Sequence, residues 1–237
     1  MKYDLYVITD EEIAGGLSHA EIAQLAIAGG ADVIQLRDKV HGCPELIRIG
    51  RTLREITKKS GTLFIINDRL DVALTCGADG VHLGQDDICA GVARQLAPPG
   101  FIIGISVGTV EEAVRAEQES ADYIALSPVF STASKYNAGP GHGLEVLRQI
   151  RQNVSLPVIA IGGINRDNVL EVIAAGADGI AVISGVVGSP DITIAAQELK
   201  NSITECKEKR DQDNENTPEK LSLRSARIFL ANSCLTK

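Results

Sequence analysis

The amino-acid sequence predicts a single (β/α)8 TIM barrel, and three observations support this fold class. The chain has 237 residues, a length that fits one barrel domain. A short motif occurs four times, at residues 30–34, 77–81, 120–124 and 176–180. It consists of a small residue, then Ala and Asp, and then an apolar run. Each copy closes a helical pattern and opens a strand pattern, so the chain alternates between the two throughout.

Eight apolar runs rich in β-branched residues predict the strands. They are 5–10, 33–37, 63–68, 80–84, 101–106, 123–128, 157–163 and 179–184. Helical patterns fill the gaps, for example at 18–28, 44–58, 110–119 and 165–175. Strict alternation predicts a parallel sheet with right-handed crossovers, and eight units favour closure into a barrel. An open doubly wound sheet is the alternative.

Composition and charge exclude several classes of function. The net charge of −8 argues against a nucleic-acid or anionic-membrane surface, so a phosphate site has to be local. No apolar run reaches the length of a membrane span, and the N-terminus does not resemble a signal peptide. The five cysteines are widely spaced without a CxxC pair, which indicates reduced thiols and a cytoplasmic protein.

The C-terminal part of the chain differs in character from the rest. We expect residues 1–206 to form the catalytic barrel and residues 207–237 to form a polar, disordered extension. Residues 207–220 are charged without a periodic apolar face, which is typical of a flexible linker. Residues 221–237 contain apolar side chains but no ninth β-α unit.

Polar residues collect at the carboxyl ends of the predicted strands, where barrels of this class carry their active sites. Gln35, Arg37 and Lys39 share one face of a strand, because side chains alternate along it. They are expected to point into the barrel mouth, where a phosphorylated ligand would offset the cost of burying the cations. The alternative is an internal salt-bridge cluster with Asp68 or Asp87.

Asp68 and Asp87 end successive β-α units. Two carboxylates beside a phosphate are typical of a magnesium site. The alternative for Asp87 is an N-cap of the following helix, and Asp86 fits either role. His82 lies within a predicted strand and is interpreted as structural rather than catalytic.

Two further segments suggest a second phosphate site. The Gly162-Gly163 pair follows strand seven and Ser184-Gly185 follows strand eight, at the phosphate-binding position of many barrels. The longest loop, residues 129–143, carries hydroxyl groups and Lys135 in a Gly/Pro-rich setting, as an anion-binding lid would.

These residues resemble the thiamine phosphate synthase family. The resemblance covers residues 2–202, and its motifs together are highly specific. They are YVITD, QLRDK (35–39), ND (67–68), HLGQDD (82–87), GIS (104–106), SPVFSTASK (127–135), IGGI (161–164) and VISG (182–185). Ser134 stands where the family usually has Thr, which keeps the hydroxyl group.

The resemblance implies a transferase that joins 4-amino-2-methyl-5-(diphosphooxymethyl)pyrimidine to a thiazole phosphate, giving thiamine phosphate and pyrophosphate. It assigns the pyrimidine diphosphate to Gln35, Leu36, Arg37, Asp38, Lys39, Asn67, Ser106 and Lys135. It assigns the thiazole phosphate to Thr132, Ala133, Ser134, Gly163, Ile183 and Ser184. One Mg²⁺ per subunit would lie on Asp68 and Asp87, and the catalytic set would be Arg37, Lys39, Ser106 and Lys135.

Charge neutralisation of the leaving diphosphate would drive such a reaction, because the aminopyrimidine can bear the resulting cation until the thiazole nitrogen attacks. The sequence shows no nucleophile–base pair, and none is required. Two other functions stay open: a thiazole tautomerase-like isomerase and a non-catalytic thiamine-precursor binding protein. The sequence does not determine the oligomeric state, and a homo-oligomer is one of the alternatives.

Overall fold

The computed structural model describes residues 3–132, 134 and 139–215, which form a closed barrel of eight parallel strands in the order β1 to β8. The strands are β1 (Leu5–Thr9), β2 (Val33–Leu36), β3 (Leu63–Asn67), β4 (Gly80–Leu83), β5 (Ile102–Val107), β6 (Tyr123–Leu126), β7 (Val158–Ile161) and β8 (Gly179–Val182). Strand β1 pairs with both β2 and β8, which closes the barrel and rules out the open doubly wound sheet.

Helices cover the barrel on its outside. They are α1 (His19–Ala28), α2 (Cys43–Ser60), α3 (Leu70–Cys76), α4 (Ala90–Leu96), α5 (Val110–Gln118), α6 (Gly143–Asn153), α7 (Val169–Ala174), α8 (Ser184–Val187) and α9 (Ile192–Glu215). None of the helices described is long and apolar enough to span a membrane. The α1 helix begins with a capping box between Ser18 and Glu21, as its sequence favours.

Alternation along the strands separates two apolar cores. One face packs against the helices, and Ile34 and Leu36 of β2 belong to that outer core. The other face fills the barrel with Tyr6, Ile65 and Tyr123 among its members. The predicted inward direction of Gln35 is confirmed, since its buried side chain donates to the Tyr6 hydroxyl.

The aspartates of the four repeated motifs form equivalent contacts at the N-terminal end of the barrel. The carboxylate of each of these four aspartates accepts a hydrogen bond from a backbone N–H of the preceding odd-numbered strand, and each also pairs with a cation from a covering helix. The strand residues are Leu5, Phe64, Ile103 and Val158, bound by Asp32, Asp79, Asp122 and Asp178 at 2.7 to 2.9 Å. The cations are Lys200, Arg54, Arg94 and Arg151, in the same order.

The C-terminal helix α9 extends beyond the predicted boundary at residue 206. Residues 207–215 are helical, which differs from the flexible linker predicted there, while residues 216–237 lie outside the described residues. The helix is anchored by Leu199 and Ile203, which are buried in the outer core. Lys207 contacts Asp4 and the backbone carbonyl of Asp178. Because the helix is already anchored to the barrel at these positions, the charged residues that follow can continue it.

Candidate active site

The carboxyl ends of the strands surround one cavity of about 560 Å³. Most of the predicted site residues that the structure describes line it. They are Gln35, Arg37, Lys39, Asn67, Asp68, Asp87, Ser106, Thr132, Ser134, Gly163, Ile183 and Ser184. Ala133 and Lys135 lie outside the described residues.

Two predicted site residues face away from the cavity. Leu36 packs into the outer core because the alternation of β2 turns it from the barrel interior. Asp38 is buried against the loop that follows β2, where it accepts hydrogen bonds from the backbone N–H groups of Val40 and His41 at 2.8 and 3.0 Å. Burial alone would raise the pKa of Asp38. The hydrogen bonds from these N–H groups and from the His41 imidazole outweigh burial and lower the pKa to about 2. Asp38 therefore holds the loop that carries Arg37 and Lys39.

The two cations of the mouth each have one carboxylate partner. Arg37 Nη1 lies 3.1 Å from Asp10, and Lys39 contacts Asp68. Asp68 is one of the two partners named in the predicted alternative, but its ion pair with Lys39 is largely exposed rather than internal, and Arg37 pairs with Asp10 instead. The Nε atom of Arg37 is buried without a hydrogen-bond partner among the described residues, so this guanidinium retains a donor for a ligand.

Asp68 and Asp87 form a close pair of like charges. Burial of Asp87 and the negative charge of Asp68 raise the pKa of Asp87, although the N–H of Gly84 donates to it at 2.7 Å. Helix α4 begins after Cys89 without a side-chain cap, so the N-cap interpretation of Asp87 is wrong. The described residues contain no group of three or more His, Cys, Asp and Glu side chains arranged around a metal position.

Hydroxyl groups and glycines meet on the opposite side of the cavity. The hydroxyl of Ser134 lies 3.1 Å from that of Ser184, and Thr132 accepts from the N–H of Ser134 at 3.2 Å. Gly162 and Gly163 have φ angles of 102° and 64°. A Cβ on either would come within 3 Å of the chain that follows β6, so this close approach requires glycine.

Sequence reasoning missed the polar side chains inside the barrel. Tyr6, His82 and Tyr123 line the cavity floor and are almost fully buried. Burial raises the pKa of Tyr6 and Tyr123 above the usual range, which keeps both phenols protonated. Their signal in the sequence is a polar side chain at an inward-facing strand position. His82, which the sequence indicates as structural, lines this cavity and forms hydrogen bonds with Tyr123 and Ser106.

The fold and this mouth together define a (β/α)8 barrel enzyme for phosphorylated small molecules. Residues 5–186 match the protein family described as thiamine monophosphate synthase. The chain belongs to this family.

Individual relatives agree with the family match. The thiamine-phosphate synthase of Methanoregula boonei is 64% identical over 208 residues, covering 88% of this chain and 96% of the relative. That of Methanoculleus marisnigri is 59% identical over 87% of this chain and 98% of its own length. The solved thiamine phosphate pyrophosphorylase of Pyrococcus furiosus has a TM-score of 0.80 and 45% identity, covering 86% of this chain and 96% of its own. Neither the tautomerase-like nor the non-catalytic alternative gains support from these relatives.

Proposed function

We propose that the barrel mouth is the active site for thiamine phosphate synthesis. The chain is a transferase that joins 4-amino-2-methyl-5-(diphosphooxymethyl)pyrimidine to the thiazole phosphate and releases pyrophosphate. The observation that carries this assignment is one cavity with two different anion-binding sides. Cations and two carboxylates lie on one side, and hydroxyl groups with glycines lie on the other. Two phosphorylated substrates would therefore bind face to face.

The diphosphate side is formed by Arg37 and Lys39 with Asn67 and Ser106. A buried N–H without a partner destabilises a protein by about 1–3 kcal/mol. An oxygen of the diphosphate would satisfy Arg37 Nε, which supports a bound state in which the guanidinium contacts both Asp10 and the substrate. Lys135, which lies outside the described residues, is proposed to bind the same anion.

Asp68 and Asp87 fit one Mg²⁺ per subunit. Burial and the neighbouring charge of Asp68 both raise the pKa of Asp87, and a divalent cation bound by the two carboxylates would relieve their repulsion. Mg²⁺ is usually bound by one or two carboxylates together with substrate phosphates, which agrees with this pair of carboxylates. When bound, the ion would neutralise charge on the departing diphosphate.

Thr132, Ser134 and Ser184 are proposed to hold the thiazole phosphate together with Gly163 and Ile183 of the same cavity, and Ala133, outside the described residues, is proposed for the same role. The hydroxyl groups can donate to phosphate oxygens, and the glycine conformation lets the backbone approach them closely. A thiazole phosphate bound on this side would lie opposite the diphosphate, so its nitrogen could attack the carbon that the diphosphate leaves.

The protein residues supply position and charge rather than a covalent nucleophile. Arg37, Lys39 and Ser106 would stabilise the leaving group as the C–O bond breaks, and the apolar side chains of Ile159 and Ala181 in the cavity lining would limit access of water to the pyrimidine cation. The four described cysteines are free, in keeping with a reducing, cytoplasmic setting, which we propose for the enzyme.

The direct test is to mix both substrates with Mg²⁺ and the purified protein and to measure thiamine phosphate and pyrophosphate. Equal amounts of the two products are expected. No product above the protein-free control would overturn the proposal.

Variants of the carboxylate pair test the metal assignment. Asp68→Asn and Asp87→Asn keep the side-chain shape but remove the charge, so we expect near-normal melting, at least about a hundredfold loss of kcat, and a higher Mg²⁺ requirement. The matched control is Asp79→Asn at the other end of the barrel, which should retain activity. If Asp87→Asn keeps full activity at an unchanged Mg²⁺ requirement, the shared-metal assignment is wrong.

A further inference from the structure

Five polar side chains cross the barrel floor in a single file of hydrogen bonds. Gln35 Nε2 donates to the Tyr6 hydroxyl at 2.7 Å, which lies 3.1 Å from the Tyr123 hydroxyl. Tyr123 Oη lies 3.0 Å from His82 Nδ1, and His82 Nε2 lies 2.9 Å from Ser106 Oγ. We call this set the floor relay. It joins β2 to β5 through side chains of β1, β6 and β4.

The amide donor of Gln35 sets the direction that we assign to the floor relay. The amide of Gln35 donates to Tyr6, so the single proton of Tyr6 is available for the oxygen of Tyr123. In this direction Tyr123 donates its own proton to His82 Nδ1. A neutral His82 then carries its proton on Nε2, where it points at Ser106.

Burial shows which member of the relay meets the substrate. Gln35, Tyr6 and Tyr123 are at most 2% exposed and His82 is 8% exposed, whereas Ser106 is only partly buried. The hydroxyl of Tyr123 already uses its proton and one lone pair within the relay. Ser106, which accepts from His82, keeps its own proton for the cavity.

The backbone leaves room for this arrangement. A Cβ on Gly104 would lie 2.0 Å from Cζ and 2.4 Å from the hydroxyl of Tyr123, so the ring occupies the space that glycine leaves open. Tyr3 packs on the other side of the same ring, with centroids 5.2 Å apart. The ring of Tyr123 is thus held by packing, and its hydroxyl is fixed between Tyr6 and His82.

We propose that Tyr123 and His82 are positioning residues that hold the Ser106 hydroxyl as a hydrogen-bond donor toward the pyrimidine diphosphate substrate. This inference rests on the proposed function, in which Ser106 contacts that substrate. Without the relay, the hydroxyl proton of Ser106 is free to turn toward His82, and the substrate loses a preset donor.

A double-mutant cycle in the synthesis assay tests the proposal. Tyr123→Phe should lower kcat/KM for the pyrimidine diphosphate about tenfold, the effect of about one hydrogen bond, and leave KM for the thiazole phosphate unchanged. In a Ser106→Ala background the same substitution should change kcat/KM less than about twofold, because its effect passes through Ser106. Tyr3→Phe, which alters a neighbouring phenol outside the cavity, should leave both kinetic constants unchanged. A full tenfold loss in the Ser106→Ala background would overturn the proposal.

The tautomer of His82 gives a second test that needs no activity. In ¹⁵N-labelled wild-type protein at neutral pH, NMR should show the His82 proton on Nε2, and the signal should be assigned by its loss in His82→Gln. A proton on Nδ1 would reverse the relay and overturn the proposal. A wild-type protein that makes no thiamine phosphate would overturn the proposed function, while the tautomer measurement would still decide the direction of the relay.

Discussion

Removing the carboxylate of Asp79 should destabilise the barrel without touching its chemistry. Oδ2 of Asp79 accepts from the N–H of Phe64 and from Arg54, both at 2.8 Å. Phe64 is fully buried, so Asp79→Ala leaves its N–H without this acceptor. The loss of this hydrogen bond should lower the free energy of unfolding by about 1–3 kcal/mol. The ion pair with Arg54 is partly exposed and adds at most about 1 kcal/mol. The expected loss is about 1–4 kcal/mol.

Asp79→Asn separates the two contributions, because its amide oxygen can still accept from Phe64 while the charge is gone. Thermal and urea unfolding should show a fall in Tm of about 5–10 °C for Asp79→Ala and a fall of only a few degrees for Asp79→Asn. Glu45→Ala, which removes an exposed ion pair with Arg48 on α2, is the control and should change stability by less than about 0.5 kcal/mol. Equal destabilisation by Asp79→Ala and Asp79→Asn would refute the backbone N–H argument.

Two other predictions follow from buried carboxylates. Asp38→Ala should lower stability at pH 7 by about 1–3 kcal/mol and raise KM for the pyrimidine diphosphate several-fold, since the N–H groups of Val40 and His41 lose their acceptor and the loop that carries Arg37 and Lys39 loosens. A large loss of kcat at unchanged stability would instead make Asp38 a substrate ligand. Burial raises the pKa of Asp4, but Lys207 and Lys200 outweigh burial and lower the pKa overall. The ionised Asp4 therefore stabilises the fold above the unfolded pKa of about 4, and this stabilisation is lost as the pH falls through the lowered pKa of the folded state. Lys207→Met should therefore destabilise at pH 7 by about 1–2 kcal/mol and much less near pH 2 in unfolding measurements, and a pH-independent difference would contradict this account.

Periodicity was sufficient to predict the direction of side chains within a strand. Gln35 and Arg37 line the cavity and Leu36 does not, as the alternation of β2 requires. Alternation continues past Leu36, the last residue of β2, because Arg37 and Lys39 line the cavity and Asp38 does not. Leu36 and Asp38 were assigned to the substrate by the family resemblance and not by alternation, and the loop hydrogen bonds that hold Asp38 are not visible in the sequence pattern.

The floor relay could not be predicted because its bonds join residues far apart in the sequence. Tyr6 and Tyr123 are separated by 117 positions, and their meeting depends on the closure and stagger of the barrel. A polar residue at an inward position, such as His82, shows that a partner is needed but does not identify it. The ion pair of Lys39 with Asp68 was predicted as an alternative, because neighbouring strand ends of a parallel sheet lie side by side.

The repeated aspartates explain why stability and chemistry are separated along the barrel axis. Each repeat aspartate fixes the start of a strand by binding a backbone N–H at the N-terminal end. The polar residues at the other end are then free of that task, and pairs such as Asp68 and Asp87 can be held close together although their charges repel. This repulsion, which Lys39 offsets in part through its ion pair with Asp68, destabilises the free protein, and a bound cation would relieve it. The repeat aspartates therefore stabilise four of the eight strands at one end of the barrel, while the repulsion that a ligand would relieve lies at the other end.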